Sequence, residues 1–499
     1  MTERVRIKRL PSGVPGLDEV LGGGFPEYSF NLLAGGPGGG KTTLAHQIVF
    51  ANATVERPAL YISILGEPPI KLLRYQQQYS FFDPSILGKA IRYVHLGQDS
   101  VSGGLSQVLS SIVRAVDSQS PSMVVVDSFR AVLRQSGLGL AAVIAGEMDL
   151  QNFIQRLALH LTSSEATTFL LGEYIDTESD NNAVFTVADG IIWLHQALDR
   201  NSMVRKLQVV KMRGQCPLPG LHPARISDHG LRVFPRSSQP EPRPESVSAS
   251  RRLSTGVSPL DEMLGGGIPT GHTTLVVGPS GSGKTILSNQ FLLEGGRQGE
   301  CGVIAVFEKR PREYLEMTPH GPELAQLIHD GKLQILYLRP PDLSIDEILL
   351  ELRAAILRTG AKRAVIDSLS GLELALAPTF REDFRESLSR MLGTLTSLGV
   401  TVMSTVEQCD SYTDFRLTPQ TVSFLTDAVI TQRYVKLEGS IKRVMSVVKV
   451  RASRHSNELR EYEITASGLT VLPGSLGRYE GPRSGSPQKR EESERTEPR

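Results

Sequence analysis

Residues 35–42 read GGPGGGKT and residues 278–285 read GPSGSGKT. Both fit GxxxxGK[ST], each follows a short apolar run (NLLA, TLVV) and each precedes a helix-like segment, so the spacing predicts strand, phosphate-cradling turn and helix. The glycines let the main chain wrap an anion with its N–H groups pointing inward, at a helix N-terminus where partial positive charge collects. The predicted nucleotide-binding residues are Gly35, Gly36, Pro37, Gly38, Gly39, Gly40, Lys41, Thr42 and Thr43, and in the second copy Gly278, Pro279, Ser280, Gly281, Ser282, Gly283, Lys284, Thr285 and Ile286. Lys41 and Lys284 are expected on the β- and γ-phosphates, with the hydroxyls of Thr42 and Thr285 on Mg²⁺.

Outward from these loops the chain repeats itself. Residues 13–44 (GVPGLDEVLGGGFPEYSFNLLAGGPGGGKTTL) and 256–287 (GVSPLDEMLGGGIPTGHTTLVVGPSGSGKTIL) align without a gap and agree at about half their positions. Later landmarks recur in the same order: VVVDS at Asp127 against AVIDS at Asp367, ADGII at Asp189 against TDAVI at Asp427, and VVKMRG against VVKVRA. A period this long means duplicated domains rather than a solenoid. The expected division is a first domain over 1–235, a Pro/Ser-rich linker over 236–250, a second domain over 251–472 and a disordered tail over 473–499. Within each copy, apolar runs (31–34, 60–65, 123–126 and 169–171 in the first) alternate with longer periodic segments. This predicts an α/β fold: two tandem RecA-like P-loop domains, each a mostly parallel sheet flanked by helices, with an antiparallel edge at the end of each copy.

Composition narrows the function classes. Lys and Arg number 54 against 53 Asp and Glu, a net charge of +1, so no overall field draws the chain to nucleic acid or anionic lipid. The three cysteines, Cys216, Cys301 and Cys409, stand far apart and form no metal-ligand spacing, which fits a reducing cytoplasm. The longest apolar stretch, near residues 138–144, is too short to span a bilayer.

Asp127 and Asp367 each end a buried-strand run beside the phosphate loop, the place for the acid that holds the Mg²⁺ shell. In the second copy the strand after the P-loop helix ends VFEKRP, placing Glu308 where a carboxylate can activate water. The first copy reads YISILGEPP over 61–69: Leu65 aligns with Glu308, Gly66 with Lys309, and Glu67 falls two positions late. Two residues of strand displace a carboxylate by roughly 6–7 Å, so Glu67 reads as a solvated acid at a helix start. Lys211 with Arg213, and Lys449 with Arg451, place two cations on one side of a strand, and their duplication predicts phosphate contact, within the chain or across subunits.

Taken together, SGVPGLDEVLGGGFP and TGVSPLDEMLGGGIP, the two P-loops, Asp127-Ser128, Asp367-Ser368 and the KxR pairs resemble the KaiC family of RecA-type ATPases. The resemblance spans residues 13 to about 471. It implies ATP and Mg²⁺ bound at subunit interfaces of a homo-oligomeric, hexameric double ring, with Lys211, Arg213, Lys449 and Arg451 reaching the neighbour's nucleotide. It also implies paired glutamates after the second strand, the first acting on water or Mg²⁺. This chain keeps Glu308 of that pair but has Lys309 beside it, and has Leu65-Gly66 for both in the first domain. Family autophosphorylation uses adjacent Ser and Thr in the second domain, where VSFLTD keeps Ser423 and places Phe424 beside it. The reading is an ATP-hydrolysing oligomer with Glu308 as the catalytic base and Ser423 as the phosphorylation candidate, acting on protein partners that the sequence leaves unidentified. The alternatives are a RecA-like DNA-dependent ATPase, with 130–139 and 410–419 as pore loops, and a nucleotide-sensing scaffold.

Overall fold

The computed structural model describes residues 7–65, 68–97, 104–128, 140–174, 183–199, 201–236, 251–338, 343–408, 425–437 and 440–474. Glu67, Ser423 and Phe424, most of the linker and tail, and both pore-loop candidates lie outside them. The chain divides into two compact units near residue 238.

The first unit opens with a ribbon of β1 (Arg9–Leu10) against β2 (Phe25–Pro26). Its sheet then uses β3 (Phe30–Gly35), β4 (Ala59–Ile64), β5 (Ile91–Leu96), β6 (Met123–Asp127), β7 (Thr167–Glu173), β8 (Gly190–Asp199), β9 (Ser202–Met212), β10 (His222–Ser227) and β11 (Gly230–Val233). The strand order is β11-β10-β9-β8-β3-β7-β6-β4-β5. Strands β5 through β8 of that order run parallel to β3, and β9, β10 and β11 add an antiparallel edge. All six residues of β3 and of β4 are buried, as expected of strands covered on both faces. One face packs Leu32, Ile62, Val124 and Leu170 under the helices Gly104–Gln119 and Leu140–Ser163, through Ile112, Phe153 and Leu157. The other packs Leu33, Tyr61, Val125 and Leu171 under the helix Lys41–Asn52, through Leu44, Ala45 and Ile48.

The second unit repeats this plan. A ribbon of β12 (Arg252–Leu253) and β13 (Ile268–Pro269) precedes β14 (Thr273–Gly278), β15 (Gly302–Val306), β16 (Leu333–Tyr337), β17 (Arg363–Asp367), β18 (Thr401–Glu407), β19 (Ala428–Leu437), β20 (Ser440–Val450), β21 (Arg460–Thr465) and β22 (Gly468–Val471). The order is β16-β15-β17-β18-β14-β19-β20-β21-β22, the same succession read from the other edge. The doubled, mostly parallel sheet and its antiparallel edge are the architecture expected from the repeat. Parallel strands end together, so in each unit the P-loop and the strand-terminal acids share one edge of the sheet.

Candidate nucleotide sites

Each phosphate loop joins a buried strand to a helix that begins at the motif lysine: β3 to Lys41–Asn52, and β14 to Lys284–Arg297. Gly40 and Gly283 precede these helices with φ of 99° and 98°, a left-handed conformation that residues with a Cβ rarely adopt. No side chain caps either helix, so the first-turn amides face the loop as an anion site. Lys41 Nζ donates to the Gly35 and Gly36 carbonyls at 2.9 and 2.8 Å. Lys284 Nζ does the same to Gly278 and Pro279 at 2.9 and 2.7 Å.

The acids predicted to hold Mg²⁺ stand beside the loop threonines. Thr42 Oγ1 donates to Asp127 Oδ2 at 3.2 Å, and Thr285 Oγ1 to Asp367 Oδ2 at 2.8 Å. A hydroxyl and a carboxylate are hard oxygen donors of the kind Mg²⁺ takes, with phosphate oxygens and waters completing the shell, so both sites fit the ion. Among the described residues no cluster of three or more His, Cys, Asp or Glu forms a separate metal site.

Sequence reading missed what lies behind those aspartates. In the first unit Tyr61, on β4, donates to Asp127 Oδ2 at 2.7 Å, and its ring stacks on buried His46, centroids 4.4 Å apart. In the second, Tyr314 comes from the helix Pro311–Glu316 instead, bonding Asn289 Oδ1 at 2.7 Å and Asp367 Oδ2 at 3.4 Å. Thr405 Oγ1 adds a 2.5 Å bond to Asp367 Oδ1. A phenol arriving from different elements leaves no signal in the aligned repeat.

Burial lowers the His46 pKa from 6.5 to about 4, opposed by the hydrogen bond to the Thr42 carbonyl. The unfolded chain therefore binds a proton below pH 6.5 that the fold rejects until about pH 4, so stability falls as pH drops through that window. The loss expected is on the order of 3 kcal/mol. Burial raises the Asp127 pKa, which slopes the opposite way, so comparison with His46→Asn isolates the histidine. Trp193, the chain's one tryptophan, lies in the first unit, and urea midpoints read from its fluorescence should lose their acid slope in the variant.

Strand register tests the alignment of the candidate bases. Ser63 pairs with Asp127 across β4 and β6, and Val306 pairs with Asp367 across β15 and β17. Two residues further on, Leu65 and Glu308 therefore hold the same place. Leu65 packs against the apolar core of its unit. Glu308 Oε1 accepts from Ser368 Oγ at 3.2 Å, and Gly371 leaves it room, since a Cβ there would come within 2.9 Å. Glu308 lines a cavity of about 310 Å³ with Lys284, Thr285, Asp367 and Glu407, within the range of small-molecule sites. Glu407 ends β18 beside Gly278, and Glu173 ends β7 beside Gly35. LLGE against STVE was the sequence signal for this pair.

The KxR pairs lie elsewhere. Arg213 Nη1 bonds Asp189 Oδ1 at 3.0 Å, while Asp189 Oδ2 accepts from the Phe30 amide at 3.0 Å. Arg451 and Asp427 repeat this at 3.3 Å, with Asp427 Oδ2 accepting from the Thr273 amide at 2.9 Å. Lys211 Nζ donates to the Phe185 and Thr186 carbonyls at 3.2 Å, and Lys449 Nζ to the Thr426 carbonyl at 2.6 Å. Phe30 and Thr273 begin the strands whose other ends carry the P-loops, so each pair sits a full strand, roughly 15–20 Å, from its own phosphate loop. The geometry disfavours contact with that chain's own phosphates.

The family model for the KaiC ATPase matches residues 10–238 and 253–475. The circadian clock oscillator protein KaiC of Rippkaea orientalis is 28% identical over 490 residues, covering 96% of this chain and 92% of the relative. That of Thermostichus vulcanus is 27% identical over 504 residues, covering 98% and 94%. Circadian clock oscillator protein KaiC 1 of Synechocystis sp. is 27% identical over 507 residues, covering 99% and 94%.

Proposed function

The chain belongs to the KaiC family of ATPases, and from that premise we propose that it is an ATP·Mg²⁺-dependent homo-oligomer whose second unit hydrolyses ATP while its first holds ATP as a structural ligand. The observation that carries this reading is the difference between Glu308 and Leu65 at one register position in two otherwise matching sites. The P-loop amides and Lys284 would bind the phosphates, and Thr285 and Asp367 would hold Mg²⁺, which when bound would neutralise phosphate charge. Glu308 takes the proton of the attacking water. In the first unit Lys41, Thr42 and Asp127 bind in the same way, and Leu65 offers water no acceptor.

Lys211, Arg213, Lys449 and Arg451 suit the nucleotide of a neighbouring subunit, because their own P-loop is a strand length away. With the family resemblance, this favours a hexameric ring. No described helix is long and apolar enough to cross a membrane. ATP turnover measured with and without single-stranded DNA tests the reading: hydrolysis unaffected by DNA supports it, whereas hydrolysis that requires DNA favours the recombinase alternative. Binding with no turnover leaves only the scaffold.

If the second unit also transfers phosphate to itself, the acceptor is Ser423, with Thr426 nearby as a secondary one. Mass spectrometry after incubation with ATP should then find the phosphate on Ser423. Its absence removes the kinase activity and leaves the ATPase in place.

A further inference from the structure

Three acids stand side by side at the phosphate edge of the second sheet. Neighbouring strands β15, β17 and β18 carry Glu308, Asp367 and Glu407 at or just past their ends, and β18 borders the P-loop strand. Met403 packs in the core under the helix Lys284–Arg297. Alternate residues of a strand share a face, so Thr405 and Glu407 point to that same side, and the Thr405 bond to Asp367 agrees. Ser370 Oγ accepts from the Glu407 amide at 3.2 Å and steadies the strand end. Glu407 lines the same cavity as Lys284, Glu308 and Asp367. In the first unit Glu173 occupies the same register beside Gly35.

We propose that Glu407 is a second water-orienting carboxylate, directed at the terminal phosphate from the side opposite Glu308, and that Glu173 holds the same position in the first unit. This rests on the ATPase reading above. In the reaction the water oxygen bonds to the γ-phosphorus as the bond to the β,γ-bridging oxygen breaks. The electron pair leaves with ADP, and the water proton passes to Glu308. Glu407 takes no proton; it accepts a hydrogen bond from the other water hydrogen. Its negative charge also opposes that of the γ-phosphate, so it weakens ATP binding relative to ADP while it aligns the nucleophile.

Removing both effects lowers kcat and KM together, which the loss of a merely structural residue does not produce. Steady-state hydrolysis by the full-length Glu407→Gln protein should show kcat reduced roughly 10- to 10²-fold, with KM for ATP lowered on the order of tenfold and inhibition by ADP little changed. Glu407→Asp keeps the charge but withdraws it by one methylene, and should lower kcat without that drop in KM. Unchanged kcat and KM in both variants, or a raised KM alone, would overturn the proposal while leaving Glu308 as the base. Competition binding of ATPγS against ADP reads the charge effect separately. A preference for ATPγS gained in Glu407→Gln supports the proposal even where turnover is too slow to follow, and no gain overturns it. A wild-type protein that binds ATPγS but hydrolyses no ATP overturns the ATPase reading instead.

Discussion

Glu308→Gln should remove most ATP turnover, on the order of 10²-fold or more, whereas Glu67→Gln should change it little. Glutamine preserves the size of the side chain and its bond from Ser368, so the variant removes the proton acceptor and little else. The expectation follows from the pairing of Val306 with Asp367 and of Ser63 with Asp127, which puts Glu308 and Leu65 at equivalent places beside equivalent aspartates. Glu67 lies two residues past that place in sequence. Measured ATP consumption by the two full-length variants decides between them. The reverse pattern, with Glu67 essential and Glu308 dispensable, would show that the segment after Leu65 returns its carboxylate to the nucleotide and that the first unit is the hydrolytic one.

Lys41→Ala should dissociate the assembly while leaving Glu308-dependent hydrolysis measurable per subunit. A ligand that binds only the assembled state stabilises it, by about 2.7 kcal/mol per site at a concentration of 100 Kd, and in the proposed ring one such site per subunit would make the effect on assembly large. On the proposed reading Lys41 would carry the phosphate contacts of the site without a base, so its removal should act on assembly before chemistry. Arg213→Ala should weaken the ring through the other partner in the same contact. Sedimentation of both variants at saturating ATP·Mg²⁺ against wild type makes the measurement. A wild-type protein that remains monomeric under those conditions would sink the interface, and a Lys41→Ala ring as stable as wild type would remove the structural role of the first nucleotide.

The parts of these sites legible in the sequence are those fixed by short local geometry. A left-handed glycine before a helix-starting lysine must be spelled in consecutive letters, so both P-loops could be read directly. Asp127 and Asp367 could be read because a strand buried on both faces shows as an apolar run, and the polar residue that ends it stands out. Register with Leu65 and Glu308 was also legible, because the duplication supplied an internal alignment. Tyr61 and Tyr314 were not: they meet the same aspartates from a strand in one unit and a helix in the other, and only packing brings them there. Glu173 and Glu407 had a signal, a glutamate closing the same strand in each copy, but its meaning depends on β7 and β18 lying next to the P-loop strand. Strand order is set by crossovers of many residues, which no short motif records. The KxR pairs were visible as residues, while their distance from their own phosphate loops emerged only with the direction of β3 and β14.

Asp189 and Asp427 give that last arrangement a mechanical side. One oxygen of each carboxylate grips the arginine, and the other grips the first amide of the strand that runs straight to the P-loop. If the arginine turns to a neighbour's phosphate, the carboxylate must either follow it or lose it, and either event is felt at the base of a short, fully buried rod whose far end carries the phosphate loop. Each subunit would then sense at its own phosphate loop whether the site next door is filled, through a linkage one side chain and one strand long. Both units carry this linkage, so each would pass occupancy from the site an arginine touches to the site its own strand supports.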